Sequence, residues 1–351
     1  MLYQTENPHG GEVYDHPGVI DFSSNINPLG TPPAVLEAVA ASLPLLSQYP
    51  DPYCRELTAA IAQYEGVPQS QILCGNGAAE LIFSFCQAMQ PKKALVPVPS
   101  FSEYRSALDS VGCETLRYPL SRENGFLLDE RFLSALEAFD GELLMLCNPN
   151  NPTGQVTEKP LMERILAVCE EKQIFLFIDE CFLDLTERGE ALSLKERLAT
   201  ADNFLLLKAF TKSFGMAGLR LGYCLSGNDR LLARMGKASQ AWNVSIPAQL
   251  AGTAALKEQA FLSRAREIIH SQRPLMAAAL EKMGCTVIPS RVNFLLFYKE
   301  TELRAPLLDR GYQIRSCANY PGLGPGWYRI AVKLPEQNQG LLDAMEEILS
   351  G

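Results

Sequence analysis

A chain of 351 residues, 47% of them hydrophobic and 20% charged, holds apolar material for a sizeable core and too much of it for disorder. Its length exceeds one ordinary core, so two domains or one large α/β unit are expected. With a net charge of −9 and no basic run, neither nucleic acid nor an anionic membrane surface is an expected partner.

The first 30 residues are rich in Gly, Pro and Asn and read as an arm outside the main sheet. They show no charged-then-apolar leader, and no apolar stretch in the chain reaches ~18 residues, so a soluble, cytoplasmic protein is expected. From residue 31 to about 240, short apolar runs alternate with amphipathic stretches, the pattern of βα units around a mainly parallel sheet. Strands are predicted at 70–74, 93–97, 114–118, 142–147, 174–178, 203–208 and 220–225, and helices at 54–65, 77–89, 102–112, 130–138 and 159–172. The run 142–147 is nearly all apolar, as a strand covered on both faces should be. After about 240 one long helical stretch (247–283) leads to strands at 285–288, 293–298 and 327–332 and a last helix from 336, which predicts a smaller α+β domain over 241–351. The ten cysteines and three histidines are scattered, without a C-x-x-C pair. They read as buried thiols in a reducing compartment, and no metal is expected.

In open α/β sheets, ligands gather beyond the carboxyl ends of strands, and four such loops carry chemistry. After strand 203–208 comes Lys208-Ala209-Phe210-Thr211-Lys212-Ser213-Phe214-Gly215-Met216-Ala217-Gly218-Leu219-Arg220-Leu221-Gly222. A lysine at the buried end of a strand, beside a glycine-rich turn and an arginine, suits a nucleophilic amine next to an anion clamp. The plain alternative is a surface turn with two ordinary lysines; Lys208 is the rival amine, but it lacks the downstream spacing. The loop Asn148-Pro149-Asn150-Asn151-Pro152-Thr153-Gly154 is a rigid connection whose amides can also reach a ligand. Strand 174–178 runs into Asp179-Glu180, and a buried carboxylate needs a partner. Gly75-Asn76-Gly77-Ala78-Ala79 opens a helix whose free N–H groups can hold phosphate.

Together, in this order, the N-P-x-N-P-T-G, D-E and T-K-x-x-G-x-x-G-x-R-x-G motifs resemble those of the fold-type I enzymes of the aspartate-aminotransferase fold, over essentially the whole chain. The resemblance implies pyridoxal 5′-phosphate (PLP) as cofactor, in a large domain over 31–240. It makes Lys212 the Schiff-base lysine, pairs Asp179 with the pyridine nitrogen and gives Asn151 to the ring hydroxyl. Arg220, Thr211, Gly77 and the amides of Ala78 and Ala79 would hold the phosphate. Tyr104 would stack on the ring, with Phe101 as the fallback. Tyr49 would reach the neighbouring subunit's cofactor, which implies a homodimer, and Arg329 would clamp a substrate carboxylate.

Within that fold the chain is similar to the histidinol-phosphate aminotransferase branch, and there to the threonine-phosphate decarboxylase family of cobalamin biosynthesis. Two segments carry this: His9-Gly10-Gly11 with Asp21-Phe22-Ser23-Ser24-Asn25-Ile26-Asn27-Pro28-Leu29-Gly30, and Ile314-Arg315-Ser316-Cys317-Ala318-Asn319-Tyr320-Pro321-Gly322-Leu323. By this resemblance His9 and Arg315 bind a substrate phosphate and Asn25 its carboxylate, Gly10 and Asn151 also belong to the substrate site, and the expected activity is decarboxylation of L-threonine O-3-phosphate. A histidinol-phosphate aminotransferase, which shares the cofactor residues, is the alternative. Two positions depart from the aminotransferase pattern: Phe182 stands where a tyrosine is usual and Ala209 where a serine or threonine is usual.

Overall fold

The apolar runs of the sequence become strands, and the alternation within each run decides which core each residue joins. The computed structural model describes residues 9–350, so what the sequence implies for residues 1–8 of the arm lies outside it. After a two-residue strand β1 (Ile20–Asp21), the chain lays down β2 (Ile72–Gly75), β3 (Lys93–Val98), β4 (Glu114–Pro119), β5 (Leu143–Cys147), β6 (Phe175–Asp179), β7 (Phe204–Ala209) and β8 (Gly222–Leu225). Strands β2 to β8 form one seven-stranded sheet in the order β2-β8-β7-β6-β5-β3-β4. Only β8 runs against its neighbours; the other pairings are parallel.

Because successive side chains point to opposite faces, Leu144, Leu146, Leu176, Ile178 and Leu206 enter one buried cluster. Leu143, Met145, Phe177, Leu205 and Leu207 enter the other. Helices cover both faces, the α/β architecture that the sequence pattern implies. Among the described residues no helix is long and apolar enough to cross a membrane.

The C-terminal part adds β9 (Thr286–Ile288), β10 (Phe294–Tyr298), β11 (Tyr312–Gln313), β12 (Arg315–Ser316) and β13 (Trp327–Ala331). Four of these form an antiparallel sheet in the order β12-β13-β10-β9. Strand β1 pairs in parallel with β11, and Phe22 enters the small core beside Leu295, Phe297, Tyr328 and Ile330. The later part of the arm is thus built into the C-terminal unit.

The single helical stretch expected over 247–283 is two helices, Ile246–Ala255 and Gln259–Lys282. Two tight bonds, Lys257 N–H to Ala254 O and Glu258 N–H to Ala255 O, close the first helix without a glycine or proline to announce it. The second helix runs through Pro274. Ala248, Ala251, Leu262 and Ile269 pack in the large cluster, whereas Met276 and Leu280 pack in the small one. The change of core therefore falls within the long helix and not at residue 240.

Candidate active site

The carboxyl ends of β2, β5, β6 and β7 converge on one chamber, closed on its far side by the arm and by β13. It is lined by Ala78, Ala79, Asn151, Asp179, Thr211, Lys212, Arg220 and Arg329, and by His9, Gly10 and Asn25 from the arm. Residues from the four predicted loops and the two further segments thus meet in one place.

The two candidate amines are separated by the element that carries each and by their partners. Lys208 faces the sheet side away from the chamber, with Nζ 3.0 Å from Glu65 Oε1 and 3.9 Å from Glu180 Oε2. Burial alone would lower its pKa, but the charges of Glu65, Asp184 and Glu180 outweigh it and hold the ammonium far above its ordinary value. Lys212 sits on the short helix Phe210–Ser213 and opens into the chamber. Burial, with the nearby guanidinium groups of Arg329 and Arg220, pushes its amine down to about 8. Its Nζ stands 5.7 Å from the centre of the Phe182 ring, and Phe182 packs edge-on against Phe294 at 5.1 Å. Lys212 is the amine that can act as a nucleophile near neutral pH.

Asp179 ends β6 on the chamber side and is buried. Cys181 N–H donates to its Oδ1 at 2.9 Å and the Tyr104 hydroxyl to its Oδ2 at 2.7 Å. Burial pushes its pKa above the ordinary carboxylate range despite these two bonds. A carboxylate so placed can share a proton with a ring nitrogen in front of it.

This geometry corrects one expectation. Tyr104 is not the aromatic wall of the chamber: it is fully buried, and its hydroxyl is directed behind the site at Asp179. Phe101, the fallback, lines the chamber and packs edge-on against Tyr104 at 5.6 Å. The physical reason is the phenol group, which needs a hydrogen-bond partner when buried and finds one in Asp179.

The phosphate end is built from backbone. Helix Gly77–Met89 starts at the carboxyl end of β2, so the N–H groups of Ala78 and Ala79 open into the chamber next to Thr211 and Arg220. Gly77 has φ +79°, and a Cβ there would lie 2.6 Å from Arg220 Nη2. A Cβ at Gly222 would lie 2.8 Å from Ala78 N. Both glycines are required by close approach, which brings the guanidinium against the helix start.

Arg329 is buried on β13. It hydrogen-bonds Asn151 Oδ1 through Nη1 and donates to the Ser23 carbonyl through Nη2 at 2.7 Å. Its Nε and the Oδ1 of Asn25 are buried without a partner among the described residues, one donor and one acceptor that a ligand can meet. Arg315 stands directly opposite Arg329 in the β12–β13 ladder, so both side chains leave the sheet on the same face. Arg315 lines a second chamber with Arg304 and Ser316, and His9, Gly10 and Ser23 border both chambers. Arg315 also donates to Asn319 Oδ1 at 2.8 Å.

Tyr49 is the expected site residue that lies apart: it is 78% exposed and stacks on Trp242 at 4.6 Å. Among the described residues no group of three or more His, Cys, Asp and Glu gathers as metal ligands would. Sequence reasoning did not single out Cys147, Cys181 and Tyr320, which line the first chamber. Cys147 and Cys181 directly precede and follow residues of the recognised motifs, a signal that could have found them. It also missed Glu103, whose carboxylate lies 2.8 Å from His9 Nε2 and whose partner is far away in the chain.

Residues 17–345 match the model of the aminotransferase class I and II family. The chain belongs to that family. Within its range, the threonine-phosphate decarboxylase of Salmonella typhimurium is 37% identical, over 98% of this chain and 97% of that protein. A histidinol-phosphate aminotransferase of Desulfitobacterium hafniense is 34% identical, over 95% of this chain and 92% of its own length. Among solved structures, the histidinol-phosphate aminotransferase of Clostridium acetobutylicum superposes with a TM-score of 0.87 at 28% identity, covering 95% of this chain and 99% of that one.

The chamber suits the PLP that the sequence resemblance implies. A phosphate finds the helix start, Thr211 and Arg220; an aromatic ring finds Phe101; an aldehyde finds an amine of lowered pKa; and a pyridine nitrogen finds Asp179. The local feature that fits the phosphate of such a group is the close approach of the Arg220 guanidinium to the start of helix Gly77–Met89, which the missing Cβ atoms at Gly77 and Gly222 permit.

Proposed function

We propose that this protein is a PLP-dependent threonine-phosphate decarboxylase, converting L-threonine O-3-phosphate to (R)-1-amino-2-propanol O-2-phosphate and CO2, the linker chemistry of cobalamin biosynthesis. The observation that carries this reading is the pair Arg315 and Arg329, directly opposite each other in one ladder and serving two adjoining chambers. Like charges facing each other across a sheet are destabilising, so such a pair is explained by a ligand with two anionic groups. L-Threonine O-3-phosphate has a carboxylate and a phosphate on a short carbon chain. The 37% identity to the Salmonella enzyme points the same way.

When bound, PLP supplies an electron sink for the pair left behind as a bond to the substrate's Cα breaks. The protein's own residues do the rest. Lys212 offers the amine that holds the cofactor's aldehyde carbon and afterwards stands in the same chamber to carry a proton to Cα. Asp179, fixed by Tyr104 and Cys181, keeps a proton at the ring nitrogen, and Asn151 takes the ring hydroxyl. Thr211, Arg220 and the amides of Ala78 and Ala79 hold the cofactor phosphate, with Gly77 admitting the arginine. Phe101 walls the ring. Arg329 and the side-chain N–H of Asn25 bind the substrate carboxylate, and Arg315, His9 and Gly10 its phosphate. Which bond at Cα breaks is thereby set by how the substrate's two anionic ends are held.

The protein works in this reading as a cytoplasmic homodimer. The cysteines are free thiols, most of them buried, as suits a reducing compartment, and the exposed Tyr49 is offered to a partner's cofactor phosphate. Purified, PLP-loaded protein given O-phospho-L-threonine alone is expected to release CO2 without a keto-acid acceptor, with the amine product read by mass spectrometry. Glutamate formed instead from histidinol phosphate and 2-oxoglutarate would overturn the reading and make the protein an aminotransferase.

A further inference from the structure

We propose that Glu103 is a positioning residue for substrate phosphate: its carboxylate holds the His9 imidazole on the border that the two chambers share. The inference rests on the proposed function, which supplies the phosphate.

His9 is one of three residues that border both the chamber of Lys212 and that of Arg315. Tertiary contacts decide how its ring is held. Two features fix it in place. On one side the arm lies directly on Ser23: Gly11 N–H donates to Ser23 Oγ at 2.8 Å, and a Cβ at Gly10 would lie 2.5 Å from Ser23 O. That same carbonyl oxygen accepts from Arg329 Nη2 at 2.7 Å, so the arm and the carboxylate clamp share an anchor. On the other side Glu103 Oε1 lies 2.8 Å from His9 Nε2. Fixing which ring nitrogen meets the carboxylate fixes the orientation of the ring.

The segment that carries Glu103 already serves the site twice. Phe101 lines the first chamber with its ring 6.0 Å from that of His9, and Tyr104 donates to Asp179. One turn of chain therefore ties the cofactor wall, the pyridine partner and the arm to each other.

The competing explanation is that Glu103 serves only its helix, since an acid in the first turn of Glu103–Ser110 is favourable to the helix dipole. A double-mutant cycle separates the two. With PLP-loaded protein, Glu103→Ala is expected to raise the KM for O-phospho-L-threonine about tenfold, the scale of one hydrogen bond to a charged group, with kcat within about threefold of wild type. Affinity for non-phosphorylated L-threonine, affinity for PLP and the melting temperature should stay unchanged. Glu103→Gln, whose amide oxygen still accepts from Nε2, should restore most of the KM. In a His9→Ala background, Glu103→Ala should add almost nothing, because the residue acts through His9. Additive effects in the cycle, or a Glu103→Ala protein that distinguishes phosphorylated from plain threonine as wild type does, would overturn the inference. Wild-type protein that does not distinguish the two ligands would instead defeat the proposed function, so the two failures are separable.

Discussion

Lys208 and Lys212 lie on the same stretch of chain, and what separates them is the element that carries each, β7 for Lys208 and the short helix after it for Lys212, and the charges around it. Lys208 is held as a cation between two buried carboxylates, whereas Lys212 is desolvated beside two guanidinium groups that favour its neutral form. A lowered pKa in the folded state means that the free amine forms as pH rises through about 8, well before an ordinary lysine, whose value is 10.5. Amine-reactive labelling of cofactor-free protein, followed residue by residue by mass spectrometry, should therefore show Lys212 reacting with a midpoint near pH 8. Lys208 should stay unlabelled until the protein unfolds. Equal labelling of both, or a Lys212 midpoint above 10, would contradict this assignment. The choice between the two was legible in sequence only through the spacing to Arg220. The charges that settle it, from Glu65 and Glu180, come from other elements. The same limit explains Tyr104. Its sequence neighbourhood places an aromatic side chain at the site, but the bond to Asp179 that turns it away from the chamber is made from helix Glu103–Ser110 to the distant end of β6.

At the scale of the element, the end of β6 shows how alternation divides labour. Asp179 faces the chamber; Glu180, the next residue, faces helix Arg55–Glu65 and lies buried near Lys208, accepting from the Ser193 hydroxyl at 2.9 Å. Burial pushes Glu180 up to about 7, against an ordinary value of 4.5, although Lys208 and Ser193 oppose the shift. Its folded-state pKa is raised, so the folded protein keeps a proton that the unfolded chain releases. The stabilising contribution is complete below about pH 4.5 and is lost as pH rises through about 7. Glu180→Gln removes that titration. Urea-unfolding midpoints of wild type should fall from about pH 5 to about pH 7 more steeply than those of Glu180→Gln; parallel pH profiles would show that Glu180 is ionised throughout. The strands themselves were almost fully legible, because runs such as Leu143–Cys147 have no other plausible use. The two-residue strands β1, β11 and β12 were not, since two residues cannot display a period. Yet β12 is the element that sets Arg315 opposite Arg329.

Taken whole, the molecule leaves apolar side chains on one part of its surface that its own cores do not use. Leu43, Leu46, Tyr49 and Tyr53 are exposed along one segment, and Trp242, 47% exposed, stacks on Tyr49 from a second segment. Exposed aliphatic and aromatic groups gathered in this way mark an association surface, and a second copy of the chain related by a twofold axis is the simplest occupant. The proposed role of Tyr49 demands the same arrangement, because within its own chain the side chain stacks on Trp242 and does not line the chamber. Replacing Leu46 and Trp242 together by glutamate puts two charges into that surface, and sedimentation velocity should then show a monomer where wild type sediments as a dimer. If Tyr49 serves the partner's cofactor, the monomeric variant should also bind PLP more weakly, and Tyr49→Phe in the intact dimer should reproduce part of that loss. A variant that becomes monomeric with unchanged PLP affinity would keep the interface and remove Tyr49 from the site. A wild-type protein that is monomeric at micromolar concentration would leave the exposed surface to some other partner and make each chamber complete within one chain.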